Sequence, residues 1–414
     1  MSRPRVPPVL VALLAASVTA GAGAWKRWRA PRALDAPAAA FAGVAARPTA
    51  SVSAVFAPTA PAPTAPSRAF RGDRTRRHRS AFVGPRAAPS VRFTFDAGGP
   101  IEAMPAITSD GDVVVASLSG KVTRLGAAGA VVWSADLGER VYASPLIVGE
   151  SVFLGSDARR FVALSLATGK TRWQLDADGE ADTALAEAPG GALVGAAGRV
   201  LHGLRADGAV RFRLKLPRKI YASPAVGDDG TIYVGAQDKK LHAIAGDGAH
   251  RWSRDLGGDV DCAPAIGDDG SIFVGSDAGV VAAFDARGNE RWRATVGGFV
   301  RGGLTVGRAG VVFAGTYGPG PRVVALDAAT GAERWSFRVQ GTGAPEFGIH
   351  GAPLEDAEGK LYFGAHDDNV YALDAAGKLL WTFATQGDVD APLALGPGGV
   401  LYVGSDDGRL YALH

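Results

Sequence analysis

Two short motifs in the chain resemble the phosphate- and cofactor-binding loops of enzymes, and each lacks a residue that the chemistry requires. The run Ser165–Thr171 contains Gly-Lys-Thr, but a phosphate-binding loop needs a glycine five positions before Gly169, where Leu164 stands. The Gly-Thr-Gly at 341–343 is followed by Glu346 where a dinucleotide fingerprint requires glycine. The sequence also has no Gly-x-Ser-x-Gly, His-Glu-x-x-His or Cys-x-x-Cys motif. We therefore expect no catalytic residues and no nucleotide cofactor.

Metal chemistry has equally little support in the residue pattern. A single cysteine, Cys262, excludes an intrachain disulfide, a cysteine-rich zinc site and a four-thiolate iron–sulfur cluster. The seven histidines are scattered, although His202 and His242 share one repeat position. Adjacent acids could bind calcium, but the spacing that gathers several oxygens around one ion is missing, so we interpret them as turn residues; they stand at 228/229, 268/269, 367/368 and 406/407.

Eight mostly polar side chains recur at one register position, nine residues after a repeated aromatic residue. One of them follows a six-residue insertion. The eight are Glu102, Tyr142, Asp182, Tyr221, Asp261, Arg301, His350 and Asp390. Their neighbours are Ala, Gly, Pro and Val, so we predict that these eight, with the insertions at 316–321 and 341–347, form a binding face for a partner or a small ligand. The alternative is that these positions are exposed to water, where polar residues are common without a binding role.

The aromatic residues that set this register define an internal repeat. Their spacings are 40, 40, 39, 40, 40, 43 and 46 residues, and the positions are Phe93, Trp133, Trp173, Phe212, Trp252, Trp292, Trp335 and Trp381. We predict that these aromatic side chains are structural and pack between neighbouring units. A period near 40 with four strands per unit is typical of a β-propeller, in which each unit is one blade.

One unit, residues 260–299, contains four short strands separated by turn residues. We predict strands at 263–266, 271–275, 280–285 and 290–295. Turns such as Asp268-Asp269-Gly270 supply the positive φ angles that tight hairpins need, and the chain holds 57 glycines in all. First strands are innermost in a propeller, which places the eight register residues near one mouth of the central channel.

The two ends of the repeat region complete one another. The last unit stops at His414 without its fourth strand, and the segment Val91–Asp96 is a fourth strand without the other three. Closing the ring with that first strand removes two open sheet edges. We therefore predict an all-β, eight-bladed propeller over residues 91–414, with a solenoid as the less favoured alternative.

The turn before one aromatic residue carries a family signature. Ala325–Trp335 has the form A-x-D-x-x-T-G-x-x-x-W, and Ala163–Trp173 matches it except for Ser165. This sequence resembles the repeats of pyrroloquinoline-quinone-like propellers. One branch of that family, the quinone-dependent dehydrogenases, is larger and carries adjacent cysteines beside the quinone, which this chain lacks. The chain is more similar to the compact, non-enzymatic BamB branch of outer-membrane protein assembly.

The amino terminus is typical of exported proteins. Arg3 and Arg5 precede an apolar run from Val9 to Ala20, and small residues at 22–24 offer a cleavage site. Residues 1–24 are therefore predicted to be a signal peptide or, because basic residues follow directly, an uncleaved anchor. No cysteine follows the apolar run, so we do not expect a lipoprotein. These features predict a periplasmic or cell-envelope protein.

Residues 25–90 are rich in Ala, Pro and Arg, and we predict a disordered linker there. Residues 1–90 hold 14 Lys and Arg against 2 acids, a charge of +12, whereas residues 91–414 hold 30 against 39, a charge of −9. An arginine run in the linker could bind an anionic surface; it consists of Arg68, Arg71, Arg74, Arg76, Arg77 and Arg79. No specific nucleic-acid partner is expected, because the domain itself is acidic.

Together these patterns predict a non-catalytic envelope propeller that acts as a protein-interaction scaffold with unidentified envelope partners and no cofactor. Two alternatives remain at this stage. The first is a quinone-dependent dehydrogenase, and the second is binding of polyanions or cell surfaces through the basic linker.

Overall fold

The computed structural model describes residues 67–318, 320–340 and 347–414. Within these ranges the chain forms eight antiparallel sheets of four strands each, and two single-turn 3-10 helices at Pro189–Gly191 and Pro397–Gly399. The predicted all-β, eight-bladed propeller is therefore confirmed. None of the helices in the described ranges has the length and apolar character needed to cross a bilayer.

The first four blades follow one another along the chain, each with its first strand innermost. Blade 1 comprises β2 (Ala106–Ile107), β3 (Val113–Ala116), β4 (Lys121–Leu125) and β5 (Val131–Asp136). Blade 2 comprises β6 (Leu146–Val148), β7 (Ser151–Ser156), β8 (Arg160–Ser165) and β9 (Thr171–Asp176). Blade 3 comprises β10 (Ala186–Ala188), β11 (Ala192–Ala197), β12 (Val200–Leu204) and β13 (Val210–Lys215). Blade 4 comprises β14 (Ala225–Val226), β15 (Ile232–Ala236), β16 (Lys240–Ile244) and β17 (His250–Asp255).

The remaining blades repeat this order until the chain ends. Blade 5 comprises β18 (Ala265–Ile266), β19 (Ile272–Ser276), β20 (Val280–Phe284) and β21 (Glu290–Thr295). Blade 6 comprises β22 (Leu304–Val306), β23 (Val311–Gly315), β24 (Arg322–Asp327) and β25 (Glu333–Arg338). Blade 7 comprises β26 (Leu354–Glu355), β27 (Leu361–Ala365), β28 (Asn369–Leu373) and β29 (Leu379–Ala384). Blade 8 comprises β30 (Ala394–Leu395), β31 (Leu401–Gly404), β32 (Arg409–Leu413) and, from the amino-terminal side, β1 (Val91–Asp96).

The propeller closes through strand β1, as the sequence predicts. β1 pairs antiparallel with β32, with Phe93 opposite Ala412 and Asp96 opposite Arg409. Because a propeller is a ring of separate sheets, this pairing ties the two ends of the domain together and leaves blade 8 with the same four strands as its neighbours.

Apolar side chains from facing sheets form the core between the blades. The inner three strands are buried almost throughout, whereas the fourth strands alternate between exposed and half-buried residues, as in β9 and β25. The repeated aromatic residue connects neighbouring blades: Trp292 donates its indole N–H to the Ala328 carbonyl of blade 6 at 2.9 Å. Gly331 lies under that indole, where a Cβ atom would come within 2.5 Å of the ring, and its φ of +75° also favours glycine.

Candidate functional site: the ring mouth of the channel

One mouth of the central channel is filled by residues 67–80, which we call the plug. Backbone carbonyls of the plug accept hydrogen bonds from N–H groups at the inner ends of six blades. The donors are Ile107 to Ser67, Ile147 to Arg68, Val226 to Arg74, Ile266 to Thr75, Val306 to Arg77 and Glu355 to His78, at 2.7 to 3.1 Å. The prediction of a disordered linker over residues 25–90 is therefore wrong from Ser67 onwards, and the rest of that linker lies outside the described residues.

The plug inserts two arginine side chains into the channel. Arg71 and Arg76 are both fully buried. The Arg76 guanidinium donates to the carbonyls of Pro224 at 3.0 Å and Leu185 at 2.8 Å, and also to Phe70 at 2.6 Å. Burial lowers the pKa of Arg71 to about 10 and that of Arg76 to about 9, the second also because Arg71 is close.

The partners of these guanidinium groups are backbone carbonyls, not carboxylates. The carbonyls belong to different blades, so the plug side chains connect those blades. Arg71 bonds to Ala263 of blade 5 at 3.0 Å and to the carbonyl of Arg76 at 2.6 Å. His78 reaches Leu393 of blade 8 with its Nε2 at 3.0 Å, and burial lowers its pKa to about 3. Arg71, Arg76 and His78 all have φ between 56° and 60°, a strained conformation for residues with a Cβ atom, so these contacts offset a backbone cost.

The other arginines of the run are held against the rim of the same mouth. Arg74 pairs with Asp228 at 2.5 Å, and Arg77 and Arg79 both pair with Asp268 at 2.7 and 2.8 Å. These acids belong to adjacent-acid turns in which the second acid, such as Asp269, accepts from its own turn. The interpretation of Arg68, Arg71, Arg74, Arg76, Arg77 and Arg79 as a free anion-binding run is therefore wrong, since only Arg68 of the six is largely exposed.

The eight register residues, which we call the ring, lie at the opposite end of the inner strands from the plug. In blade 1 the inner segment begins at Glu102 and ends at Ile107, whose N–H contacts the plug. Seven ring residues are half-buried and Tyr221 is 40% exposed. The mouth that the ring surrounds, the ring mouth, is the one that the plug leaves open.

A second set of eight residues interlocks with the ring. These residues stand at the first or second position of the turn between the second and third strands of each blade. Each backbone N–H donates to the carbonyl two positions before the ring residue of its own blade, at 2.8 to 3.0 Å. This turn set is Leu118, Asp157, Gly198, Gln237, Asp277, Tyr317, His366 and Asp406. Sequence reasoning missed it, although the same period of 40 residues could have revealed it.

Side chains of the turn set reach the ring residue of the next blade. Asp277 accepts three hydrogen bonds from the Arg301 guanidinium, at 2.8 to 3.1 Å. Gln237 donates to Asp261 at 3.4 Å. Burial and the nearby Asp277 charge raise the pKa of Asp261 to about 6.

Two acids face each other at the boundary of blades 2 and 3. Burial raises the pKa of Asp182 to about 8, together with the hydrogen bond and the charge of Asp157. Arg140 contacts Asp157 from the other side at 2.9 Å, and its guanidinium lies 5.9 Å from the ring centre of Tyr142. Protonation of Asp182 removes the repulsion that two carboxylates would have there.

Blades 6 to 8 bring aromatic and imidazole groups to the ring mouth. Tyr317 packs edge-on against His350 and His366, with ring centroids 5.9 and 5.2 Å apart. The His366 Nε2 lies next to a carboxylate oxygen of Asp390. Asp390 also lies near Glu102 and Asp406, and oxygens of these three acids are all within 4.8 Å of one another, close enough to share one divalent ion.

The space below the ring does not fit a quinone cofactor on the channel axis. The Arg71 backbone N–H donates to the Met104 sulfur at 3.1 Å, and its guanidinium reaches Ala263 across the channel. Met104 and Ala263 are each two residues past a ring residue, so Arg71 crosses the channel directly beneath the ring. A quinone placed there would have to displace a fully buried guanidinium and leave its carbonyl partners without donors.

Comparison with models of protein families shows which family this propeller belongs to. A family model described as "Outer membrane protein assembly factor BamB" matches residues 79–218, 196–287 and 277–413. The chain belongs to the BamB family. No curated protein matches the sequence.

Solved structures share the fold of this BamB family member at low identity. BamB from Moraxella catarrhalis is 22% identical with a TM-score of 0.65, over 79% of this chain and 98% of that one. A europium-containing methanol dehydrogenase is 12% identical with a TM-score of 0.72, over 84% and 98%. The quinohemoprotein alcohol dehydrogenase from Comamonas testosteroni is 15% identical with a TM-score of 0.71, over 85% and 81%.

Proposed function

We propose that the protein is a non-catalytic scaffold of the cell envelope that binds a protein partner at its ring mouth. The observation that carries the proposal is the asymmetry of the channel: the plug fills one mouth, and the ring and the turn set gather polar and aromatic side chains at the other. Exposed Tyr221, the Arg301–Asp277 pair and the Tyr317–His350 contact together offer aromatic and charged groups of the kind that dominate protein interfaces.

Membership of the BamB family supports an interaction role over catalysis. The likeness to dehydrogenases is one of fold, and Arg71 crosses the space beneath the ring. The dehydrogenase alternative makes a simple prediction: addition of pyrroloquinoline quinone and calcium to the full chain should raise its melting temperature and change its absorbance. We expect neither change.

Export to the periplasm or envelope is part of the proposal. It rests on family membership and on the Arg3–Ala24 segment, which lies outside the described residues. Cell fractionation, with sequencing of the amino terminus of the recovered chain, tests it. Recovery of the protein in the cytoplasm with residues 1–24 intact would contradict export.

A photo-crosslinking experiment tests the proposed face. The photoreactive phenylalanine analogue replaces Tyr221 at the ring mouth in one variant and Leu380 on an outer strand in another, two positions with 40% and 39% exposure. Irradiation of living cells should give a discrete crosslinked protein from position 221 and none from position 380. Adducts from position 380 alone would place the partner on the outer strands and overturn the proposal.

A further inference from the structure

A cavity of about 560 Å³ opens beside the ring, at the boundary of blades 2 and 3. Its origin is a short turn. Ser156 pairs with Arg160 in blade 2, which leaves three turn residues, whereas Ala197 pairs with Val200 in blade 3, which leaves only Gly198 and Arg199. Gly198 is also the turn-set member without a side chain, and Gly179 packs directly against it, 3.2 Å from where a Cβ atom would stand.

Charged groups dominate the walls of this cavity. Four cationic side chains line it against two carboxylates; the cations are Arg159, Arg199, Lys215 and Lys219. Both carboxylates already have cationic or imidazole partners. Asp178 lies 2.8 Å from His202 and 3.2 Å from Arg213, and Glu180 lies 3.0 Å from Lys219.

The other three cations, Arg159, Arg199 and Lys215, form no ion pair with an acid among the described residues. Arg199 donates to the Pro217 carbonyl at 3.1 Å. The side chains of Arg159 and Lys215 make no hydrogen bond or ion pair within the part of the chain that the structure describes, and both are exposed. Arg159 stands in the turn of blade 2 and Lys215 ends the outer strand of blade 3, so the two charges enter the cavity from different elements.

Three cations in one concave site are unusual on this domain, because residues 91–414 carry a charge of −9. A basic patch on a flat surface would hold only a diffuse ion cloud, whereas a cavity of 300 to 1,000 Å³ is the size that small ligands use. Arginine presents two parallel N–H groups to a planar oxyanion, and lysine adds a point charge.

We propose that this cavity binds a small polyanion, a compound with at least two oxyanion groups of the phosphate or carboxylate type. One oxyanion group lies between Arg159 and Arg199, and a second reaches Lys215. Glu180 and Lys219 connect the site to the ring, since Lys219 lies over the Tyr221 ring and bonds to its hydroxyl at 3.1 Å. The inference stands independently of the ring-mouth proposal.

Calorimetric titration of the full chain with pyrophosphate and with citrate, in 50 mM salt, tests this site. The test variant is Arg159→Ala/Lys215→Ala. The matched control is Arg287→Ala/Lys378→Ala, which removes the same charge from exposed turns of blades 5 and 7. We expect at least one probe to bind with a dissociation constant below 1 mM, a weakening of tenfold or more in the test variant, and a change of less than twofold in the control.

The outcomes separate the site from general electrostatics. Tighter binding of pyrophosphate identifies phosphate chemistry, and tighter binding of citrate identifies carboxylates. Equal weakening in both double variants would assign binding to overall charge and overturn the proposal, as would the absence of binding of both probes to the unmodified chain. All four replaced side chains are exposed, so loss of folding does not confound the comparison.

Discussion

At the scale of single residues, Arg71 and Arg76 are the least expected members of the interior. Buried arginines usually pair with carboxylates, whereas these two bond to main-chain carbonyls of blades 3, 4 and 5. The arrangement satisfies carbonyls at the channel axis that have no strand partner, and it fixes the plug to several blades at once.

Replacement of Arg76 should therefore destabilise the fold strongly. Arg76→Met keeps much of the volume and leaves the Pro224 and Leu185 carbonyls without donors, so we expect a loss of about 3 to 5 kcal/mol in the free energy of unfolding. Urea denaturation measures this loss. Arg68→Met, at an exposed position of the same segment, is the control and should change the midpoint little. Equal effects of the two substitutions would show that the buried contacts contribute nothing.

The acid pair at the boundary of blades 2 and 3 predicts a pH-dependent stability. Asp182 has a pKa of about 8 in the folded chain against a usual 3.8, so the unfolded chain loses its proton first as the pH rises. The free energy of unfolding should then fall between about pH 4 and pH 8. Asp182→Asn mimics the protonated acid without titrating, so its stability relative to the unmodified chain should increase over the same interval.

Urea denaturation at several pH values checks this expectation, with Asp110→Asn at an exposed turn as the control. A constant difference between Asp182→Asn and the unmodified chain from pH 4 to pH 8 would contradict the raised pKa of Asp182.

At the scale of single elements, the strand pattern follows from local sequence. In blade 5 the predicted fourth strand at 290–295 coincides with β21. The predicted first strand at 263–266 shrinks to Ala265–Ile266, because the Ala263 carbonyl bonds to Arg71 of the plug and Pro264 has no N–H to donate to a neighbouring strand. Strand alternation and Gly-Asp turns are local signals, which is why the blades could be predicted.

The plug could not be predicted in the same way. Its composition is that of a solvated linker, and nothing local in Arg71 or Arg76 distinguishes a buried guanidinium from an exposed one. The burial depends on carbonyls contributed by residues more than 100 positions away. The ring was accessible to sequence reasoning because it repeats with the blades, whereas its contacts with the turn set required the three-dimensional arrangement.

The aromatic residue of each fourth strand offers a prediction about blade packing. Trp292→Phe keeps an aromatic ring next to Gly331 but loses the hydrogen bond to Ala328 and part of the indole packing, so we expect a loss of about 1 to 2 kcal/mol in the free energy of unfolding. Trp292→Ala also leaves a cavity, which should cost about 3 to 5 kcal/mol. Chemical denaturation distinguishes the two. A phenylalanine variant as unstable as the alanine variant would show that the hydrogen bond, and not packing, connects the blades.

At the scale of the whole molecule, the propeller has two closures that act in different places. Strand β1 closes the circle of blades by completing blade 8, and the plug closes the channel at its axis. The sequence repeat reveals only the closure by β1. A domain boundary drawn from the repeat therefore falls at Val91 and omits the plug. The plug contacts every blade directly, through backbone groups in six and through the side chains of Arg76 and His78 in blades 3 and 8.

Removal of the plug should therefore weaken the whole propeller. A chain that begins at Val91 keeps every strand described above but exposes the N–H groups of Ile107, Ile147, Val226 and three further residues in the channel. At about 1 kcal/mol for each lost hydrogen bond, we expect a decrease on the order of 6 kcal/mol relative to a chain that begins at Ser67. Urea denaturation of the two chains measures the difference, and equal midpoints would contradict it. If the shorter chain does not stay soluble, hydrogen exchange in the full chain tests the same expectation. The amides of Ile107, Ile147 and Val226 should exchange only on global unfolding. Rapid exchange at these amides would show that the plug is not a permanent part of the fold.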